Sequence, residues 1–175
     1  SACATSPAPC AEEERRRFWL LWAWVMSVSL AWVAVQGVAA DELLERAGFV
    51  DTGELDEYFE ADHTGDELAD GWYVIVTEDA GLLEPAKLAV WSAGGRLVAA
   101  VVHEETQTSL AMEWRDGKQV WAVYHEGAAE EPQLAVEGKL PDVFEQIRRE
   151  MAELEAEVAA QGGEFDAAFE VPLDL

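Results

Sequence analysis

The feature that most constrains the fold is a tight turn at residues 115–118 (Arg-Asp-Gly-Lys), which lies between two strand-like runs. An Asp-Gly pair in a two-residue loop favours a type I′ turn, because both central residues must adopt a positive φ. The flanking runs, Thr108–Trp114 and Gln119–His125, are rich in residues that favour strands. Trp114 and Trp121 flank the turn, and we expect them to contact each other across the strands. The centre of the chain is therefore predicted to be an antiparallel hairpin.

The remaining pattern predicts an α+β fold. Further strands are expected at Val28–Gln36, Trp72–Thr77, Leu97–Glu104 and Gln133–Glu137, and helices at Ala40–Ala47 and Glu84–Ser92. A long C-terminal amphipathic helix is predicted from Leu140 to about Gln161, with one apolar face formed by Val143, Ile147, Met151, Leu154 and Val158. This order of elements indicates a mostly antiparallel sheet with helices on one face. The stretch Phe165–Leu175 is expected to be an extended tail.

The N-terminal region allows three interpretations. Phe18–Val35 is an unbroken, weakly polar run of 18 residues that follows three arginines, and this length suits a single membrane-spanning helix. A signal peptide cleaved before Asp41 is the second interpretation, which would make the protein secreted. The third divides the run at Met26, so that residues 1–25 are an appended extension and residues 26–175 are one acidic domain. We favour the third, because four tryptophans are atypical of a signal core and of the bilayer midplane.

The net charge of the chain is −25, and all of it belongs to residues 41–175, which carry 33 Asp and Glu against eight Lys and Arg. Binding to nucleic acid or to anionic lipid needs clustered basic side chains, so this composition argues against both. Half of the chain is hydrophobic, which distinguishes it from a disordered acidic tail. We therefore expect a cytoplasmic protein whose partner, if it has one, is a basic protein and not a nucleic acid.

The segment from Asp51 to Asp70 concentrates this charge, with nine carboxylates and no Lys or Arg. We expect an acidic loop there, in which aromatic side chains lie among the carboxylates. A solvated surface loop is the simpler interpretation of such a charge run, whereas exposed aromatic side chains among carboxylates suit a basic partner that offers apolar pockets. The candidate partner-binding residues are Asp56, Glu57, Tyr58, Phe59, Glu60, Asp62, Asp66 and Glu67.

Residues suited to catalysis are few. His103 and His125 lie on predicted strands beside acidic residues, and together they would form a metal site or an acid–base pair. Surface or strand-end positions are the simpler expectation for the histidines. The chain contains none of the common zinc, calcium, phosphate-loop or serine-nucleophile motifs, and its two cysteines, Cys3 and Cys10, both precede the predicted domain. We therefore expect no metal and no cofactor.

From Trp32 to Leu175 the chain resembles a widespread family of acidic bacterial proteins of unknown activity. The similarity lies in Gly71-Trp72-Tyr73, Gly94-Gly95, Trp114-Arg115-Asp116-Gly117, Val120-Trp121, Val123, His125, Gly127 and the closing Glu170-Val171-Pro172-Leu173-Asp174-Leu175. The resemblance implies a soluble α+β protein and favours a start at Met26. The family has a Glu-Glu-His step after its first central strand, whereas residues 103–105 read His-Glu-Glu here, so no histidine role carries over.

Three functional hypotheses follow from the sequence. The favoured one is a non-enzymatic binding or inhibitory protein, similar to an immunity protein or a nucleic-acid mimic, that captures a basic partner on its negative surface. The first alternative is an acidic domain that is anchored or exported by Phe18–Val35. The second is a small enzyme that uses the His103/His125 pair.

Overall fold

A computed structural model describes residues 29–56, 58, 60–127 and 134–175 of the chain. The strands are β1 (Ser29–Gln36), β2 (His63–Glu67), β3 (Trp72–Thr77), β4 (Arg96–His103), β5 (Thr108–Arg115), β6 (Lys118–Glu126) and β7 (Leu134–Gly138). The helices are α1 (Ala40–Ala47), α2 (Pro85–Trp91), α3 (Phe144–Ala160) and α4 (Ala167–Glu170), and short 3₁₀ turns occupy Ala69–Gly71 and Ala80–Leu83. The predicted extension, residues 1–25, lies outside the described residues.

The seven strands form one sheet in the order β2-β3-β1-β4-β5-β6-β7, and each neighbouring pair is antiparallel. The predicted α+β class is therefore confirmed. The turn between β5 and β6 also follows its prediction, since Asp116 and Gly117 have φ values of 47° and 76°. Asp-Gly accepts this left-handed geometry because glycine has no Cβ and aspartate tolerates it.

Strand β1 lies near the middle of the sheet, where it pairs with β3 on one side and β4 on the other. Val33 and Val35 are fully buried, so this part of the weakly polar run belongs to the core of the sheet. The prediction of one continuous helix over Phe18–Val35 is therefore wrong for its last seven residues. Residues 18–28 of that run lie outside the described part of the chain.

Helices cover both faces of the sheet, which differs from the expected single face. On one face the core joins Val33, Val35 and Leu97 to Leu43 of α1 and to Leu88 and Trp91 of α2. On the other face it joins Ala100, Ala111 and Val123 to Phe144 and Ile147 of α3 and to Val171. Successive residues of a strand point to opposite faces, so central strands that are apolar throughout require cover on both sides.

A β-bulge in the central hairpin separates the two tryptophans that were expected to touch. Trp114 pairs with Gln119, but Glu113 pairs with Trp121, so Val120 is an extra residue on β6. The shift turns Trp121 to the face opposite Trp114, and the two indoles join different core clusters. The predicted contact between the tryptophans is therefore wrong.

The bulge brings Trp121 to Glu113, a buried carboxylate with 4% of its surface exposed. The Trp121 indole N–H donates to Glu113 Oε2 at 2.8 Å, and Arg96 Nε donates to Oε1 at 3.0 Å. Arg115 Nε donates to the same Oε1, and the Arg96 guanidinium lies 5.5 Å from the centroid of the Trp72 ring. Burial by itself raises the pKa of the Glu113 carboxyl, but the hydrogen bonds from Arg115, Trp121 and Arg96 outweigh it, so the pKa is lowered.

The C-terminal stretch is not the extended tail that its sequence suggested. The Asp166 carboxylate accepts hydrogen bonds from the amides of Ala168 and Phe169, and the short helix α4 follows. The Ser109 hydroxyl of β5 donates to the Phe169 carbonyl at 2.6 Å. The tail therefore folds back onto the sheet and closes the second core cluster with Val171.

We predict that Glu113→Gln destabilises the fold by about 1–3 kcal/mol, because the two arginines lose a buried charged acceptor. The lowered pKa means that ionised Glu113 stabilises the fold above the ordinary carboxyl value of 4.5, and that this stabilisation is lost as the pH falls through the folded-state pKa. Urea unfolding of the wild type and the variant should therefore differ at neutral pH and converge in acid. The exposed Glu137→Gln change is the control; an equal loss in both variants would contradict the prediction.

Candidate binding surface

The acidic surface is built on a loop that connects α1 to β2. Its two ends meet where the rings of Phe49 and His63 lie 4.7 Å apart, centroid to centroid. The His63 ring is held in turn, because its Nδ1 lies 2.9 Å from the Thr77 hydroxyl of β3. The loop is therefore anchored to the sheet at its base, as in a compact Ω-loop.

Asp56 organises the interior of the loop. Its carboxylate accepts hydrogen bonds from the Thr64 hydroxyl at 2.6 Å, the Glu60 amide at 2.9 Å and the Ala61 amide at 3.2 Å. These hydrogen bonds, Thr64 first, lower the pKa of Asp56 from 3.8 to about 2. Asp56 was a candidate partner-binding residue, and the structure gives its carboxylate contacts within the chain.

The outer surface of the loop carries exposed apolar side chains among its carboxylates. Val50 and Leu55 are each 84% exposed, and Tyr58 is 78% exposed. Leu68, at the far end of the same region, is 53% exposed. In the described residues, eight large hydrophobic side chains are exposed, and four of them belong to residues 50–68. Half of the exposed large apolar side chains therefore come from one short segment, and an exposed apolar patch is a typical feature of an interaction site.

The second half of the acidic segment is not a loop, because residues 63–67 form the edge strand β2. The loop prediction is wrong there because pairing with β3 overrides the low strand propensity of Gly65 and Asp66. Asp66 and Glu67 are exposed and point to opposite faces of the sheet. Glu60 and Asp62 are exposed on the loop, whereas Glu57 and Phe59 lie outside the described residues.

The edge strand contains a close contact that sequence reasoning missed. A Cβ added to Gly65 would lie 2.7 Å from the hydroxyl oxygen of Tyr73, so the tyrosine ring covers this glycine. Burial raises the pKa of Tyr73, and the charges of Asp51, Asp66 and Glu67 raise it further. The carboxylates near this edge of the sheet therefore oppose ionisation of the Tyr73 phenol. A glycine inside a strand pattern is the sequence signal that marks such an approach.

The structure does not bring His103 and His125 together. His103 pairs with Thr108, whereas His125 pairs with Ser109, so the imidazoles lie on opposite faces of the sheet. His125 lies at the end of β6 but is fully buried, so the expectation of a surface position is wrong for this residue; its Nδ1 lies 3.1 Å from the Gln107 carbonyl oxygen. Its Nε2 lies 3.5 Å from the Asp166 carboxylate. The joint metal or acid–base site is therefore not formed.

Among the residues that the structure describes, no group of three or more His, Cys, Asp or Glu side chains is arranged to hold a metal ion. Within the same ranges, none of the helices combines the length and the apolar character needed to cross a membrane. In comparisons with known proteins, the chain matches no family model, no curated protein and no solved structure. The function is therefore inferred from the residues and their geometry.

We predict that Asp56→Ala loosens the loop without unfolding the sheet, because Thr64 and the amides of Glu60 and Ala61 lose their acceptor. Hydrogen exchange at those two amides should become faster, while exchange in β4 and β5 stays unchanged. In the wild type, the depressed pKa means that these hydrogen bonds persist at and above pH 3.8 and are lost as the pH falls through about 2.

The matched control for the loop is Asp62→Ala, which removes a nearby carboxylate. The backbone carbonyl of Asp62, and not its side chain, accepts from the Thr77 hydroxyl. Exchange at Glu60 and Ala61 should therefore be unchanged in this variant. Equal exchange rates in the two variants would contradict the role of Asp56.

Proposed function

We propose that the protein is a non-enzymatic binding protein that captures a basic protein partner on the surface formed by residues 50–56, 58 and 60–68. The observation that carries this proposal is the coincidence of two features in one segment. Nine carboxylates without a compensating Lys or Arg occupy residues 51–70, and half of the exposed large apolar side chains of the described residues lie in the same region. A solvated acidic loop accounts for the carboxylates but not for the exposed Val50, Leu55 and Tyr58.

The two features have different roles in the proposed complex. The carboxylates create a negative field that speeds association with a basic protein and repels acidic competitors. Tyr58 and Leu55 would enter apolar pockets of the partner, where desolvated aromatic and aliphatic contacts supply most of the binding energy. Asp56 holds the loop in shape, which lowers the entropy cost of ordering it on binding.

The other hypotheses are less well supported. An anchored form would need a continuous helix through Val35, and signal cleavage before Asp41 would remove residues 29–36, but these residues are a central strand of the sheet. A His103/His125 enzyme would need the two imidazoles on one face of the sheet. We propose that the binding protein acts in the cytoplasm and that it inhibits its basic partner.

The proposal is tested with two variants that remove equal charge from different surfaces. The loop variant carries Glu54→Gln, Glu60→Gln, Asp62→Asn and Glu67→Gln, and the helix control carries Glu150→Gln, Glu153→Gln, Glu155→Gln and Glu157→Gln on α3. Each variant removes four negative charges, which changes the net charge from −25 to −21. All eight side chains are exposed, so neither variant alters the core.

Binding is measured by fluorescence anisotropy with a labelled basic amphipathic peptide of lysine, leucine and tryptophan, at low and at high salt. We expect the loop variant to weaken binding by about tenfold and the helix control by much less. Carboxylates that touch the bound peptide attract its lysines strongly, whereas the attraction of more distant carboxylates on α3 is screened by salt. Tyr58→Ala should weaken binding at both salt concentrations, since its contact is apolar. Equal weakening in the loop variant and the helix control would show that bulk charge, and not this surface, attracts the peptide.

A further inference from the structure

The strand β2 has a free side. It is the first strand in the order of the sheet and pairs only with β3, so in the described part of the chain its other side has no neighbouring strand. The strand has only five residues, and the last three, Gly65, Asp66 and Glu67, are exposed. An edge of this kind presents unpaired backbone groups to which another extended chain can hydrogen-bond.

The hydrogen-bonding pattern identifies which backbone groups face outward. The Leu68 amide donates to the Trp72 carbonyl at 2.7 Å, so this pair faces inward. Along an antiparallel ladder, hydrogen-bonded residue pairs alternate with pairs that are not hydrogen-bonded to each other. Counting back from Leu68 along β2, the backbone N–H and C=O groups of Glu67, Gly65 and His63 therefore point away from β3. The Glu67 amide agrees with this assignment, because it donates to the Asp66 carboxylate instead of to the sheet. The outward amides of His63 and Gly65 are the donors that an added strand would use.

The acidic side chains at this edge favour an added strand that carries positive charge. Asp66 points to one face and Glu67 to the other, and Asp51 and Asp66 lie near enough to Tyr73 to contribute to its raised pKa. A second copy of β2 would bring like charges together, which disfavours pairing between copies. A strand that carries Lys or Arg would instead place its charges opposite these carboxylates. The Tyr73 ring lies over one face of Gly65, so the added strand would approach along the side of β2 that faces away from β3.

We infer that the free edge of β2 binds an extended, basic segment of the partner as an eighth strand of the sheet. This inference rests on the proposed function and specifies how the partner is bound, by pairing of its backbone with β2. Backbone hydrogen bonds to His63 and Gly65 hold the segment, and Asp66 and Glu67 select for basic side chains on either face. The exposed apolar side chains of the neighbouring loop contact the residues that flank the segment.

The test uses the full chain and three capped peptides with the same number of lysines. One peptide alternates lysine with valine, the second is the same peptide with its backbone amides N-methylated, and the third replaces valine with glycine. We expect the first peptide to bind most tightly, with about a tenfold loss on N-methylation, because the methyl groups remove the donors and block close approach. Hydrogen exchange at Gly65 should slow when the first peptide binds, while exchange at Ala135 on the opposite edge strand β7 should not change.

A matched pair of variants localises the charge selection. Glu67→Lys and Glu137→Lys make the same change in net charge on the two edge strands, β2 and β7. The first should weaken binding of the lysine–valine peptide by about tenfold, because it places like charges opposite each other, and the second should have a much smaller effect.

Each remaining outcome is informative. If the three peptides bind equally and the exchange at Gly65 is unchanged, the strand-addition inference is overturned while the proposed function stands. If no basic peptide binds at low salt, the proposed function itself fails. If exchange at Gly65 slows with rising protein concentration in the absence of peptide, a second copy occupies the edge and the assignment to a basic partner is wrong.

Discussion

The two-sided burial of the sheet is the constraint on which the rest of the structure depends. Strands β1, β4 and β5 lie in the middle of seven strands, and both of their faces are packed. A sheet that is apolar on both faces is stable only when each face is covered, so α1 and α2 must pack on one side and α3 and α4 on the other. The short helix α4 completes the second face, and this requirement explains why the C-terminal residues return to the sheet.

The same constraint determines where the charge lies. A carboxylate inside this packing is stable only with charged or hydrogen-bonding partners, and Glu113 has two arginines and an indole N–H around it. The other carboxylates are left to helix surfaces, loops and strand edges. The loop that leads into β2 and the outer side of β2 carry many of them, and exposed apolar side chains lie in the same region.

Parts of this arrangement were predictable from local signals. The type I′ turn at Asp116-Gly117 follows from the backbone freedom of glycine, and helix α1 ends at Gly48, whose φ is +75°. The charged residues of the candidate surface were also identifiable, because the sequence itself shows a run of Asp and Glu without Lys or Arg. The contacts within that surface were not, since Asp56 meets Thr64 only when the loop folds back onto β2. Tyr73 meets Gly65 only when β2 has paired with β3.

The β-bulge at Val120 shows the limit of sequence patterns most clearly. One extra residue moves Trp121 to the opposite face of the sheet, where it donates to Glu113 instead of contacting Trp114. The sequence does not show which face of the sheet a buried tryptophan occupies, because that depends on the pairing register of its strand. The histidines follow the same rule, because a one-residue offset in register places His103 and His125 on opposite faces.

The sequence by itself determined the class of the fold, most of the strands and helices, and the acidic character of the surface. These properties depend on local backbone preference, apolar periodicity and summed charge, which neighbouring residues carry without reference to the rest of the chain. Within the described residues, the tertiary structure alone decided that β1 is a central strand, which helices cover each face, which carboxylate is buried, and that β2 is the outermost strand beside β3. These features depend on contacts between residues far apart in the sequence. Such contacts stabilise the protein only once the strands have assembled into the sheet.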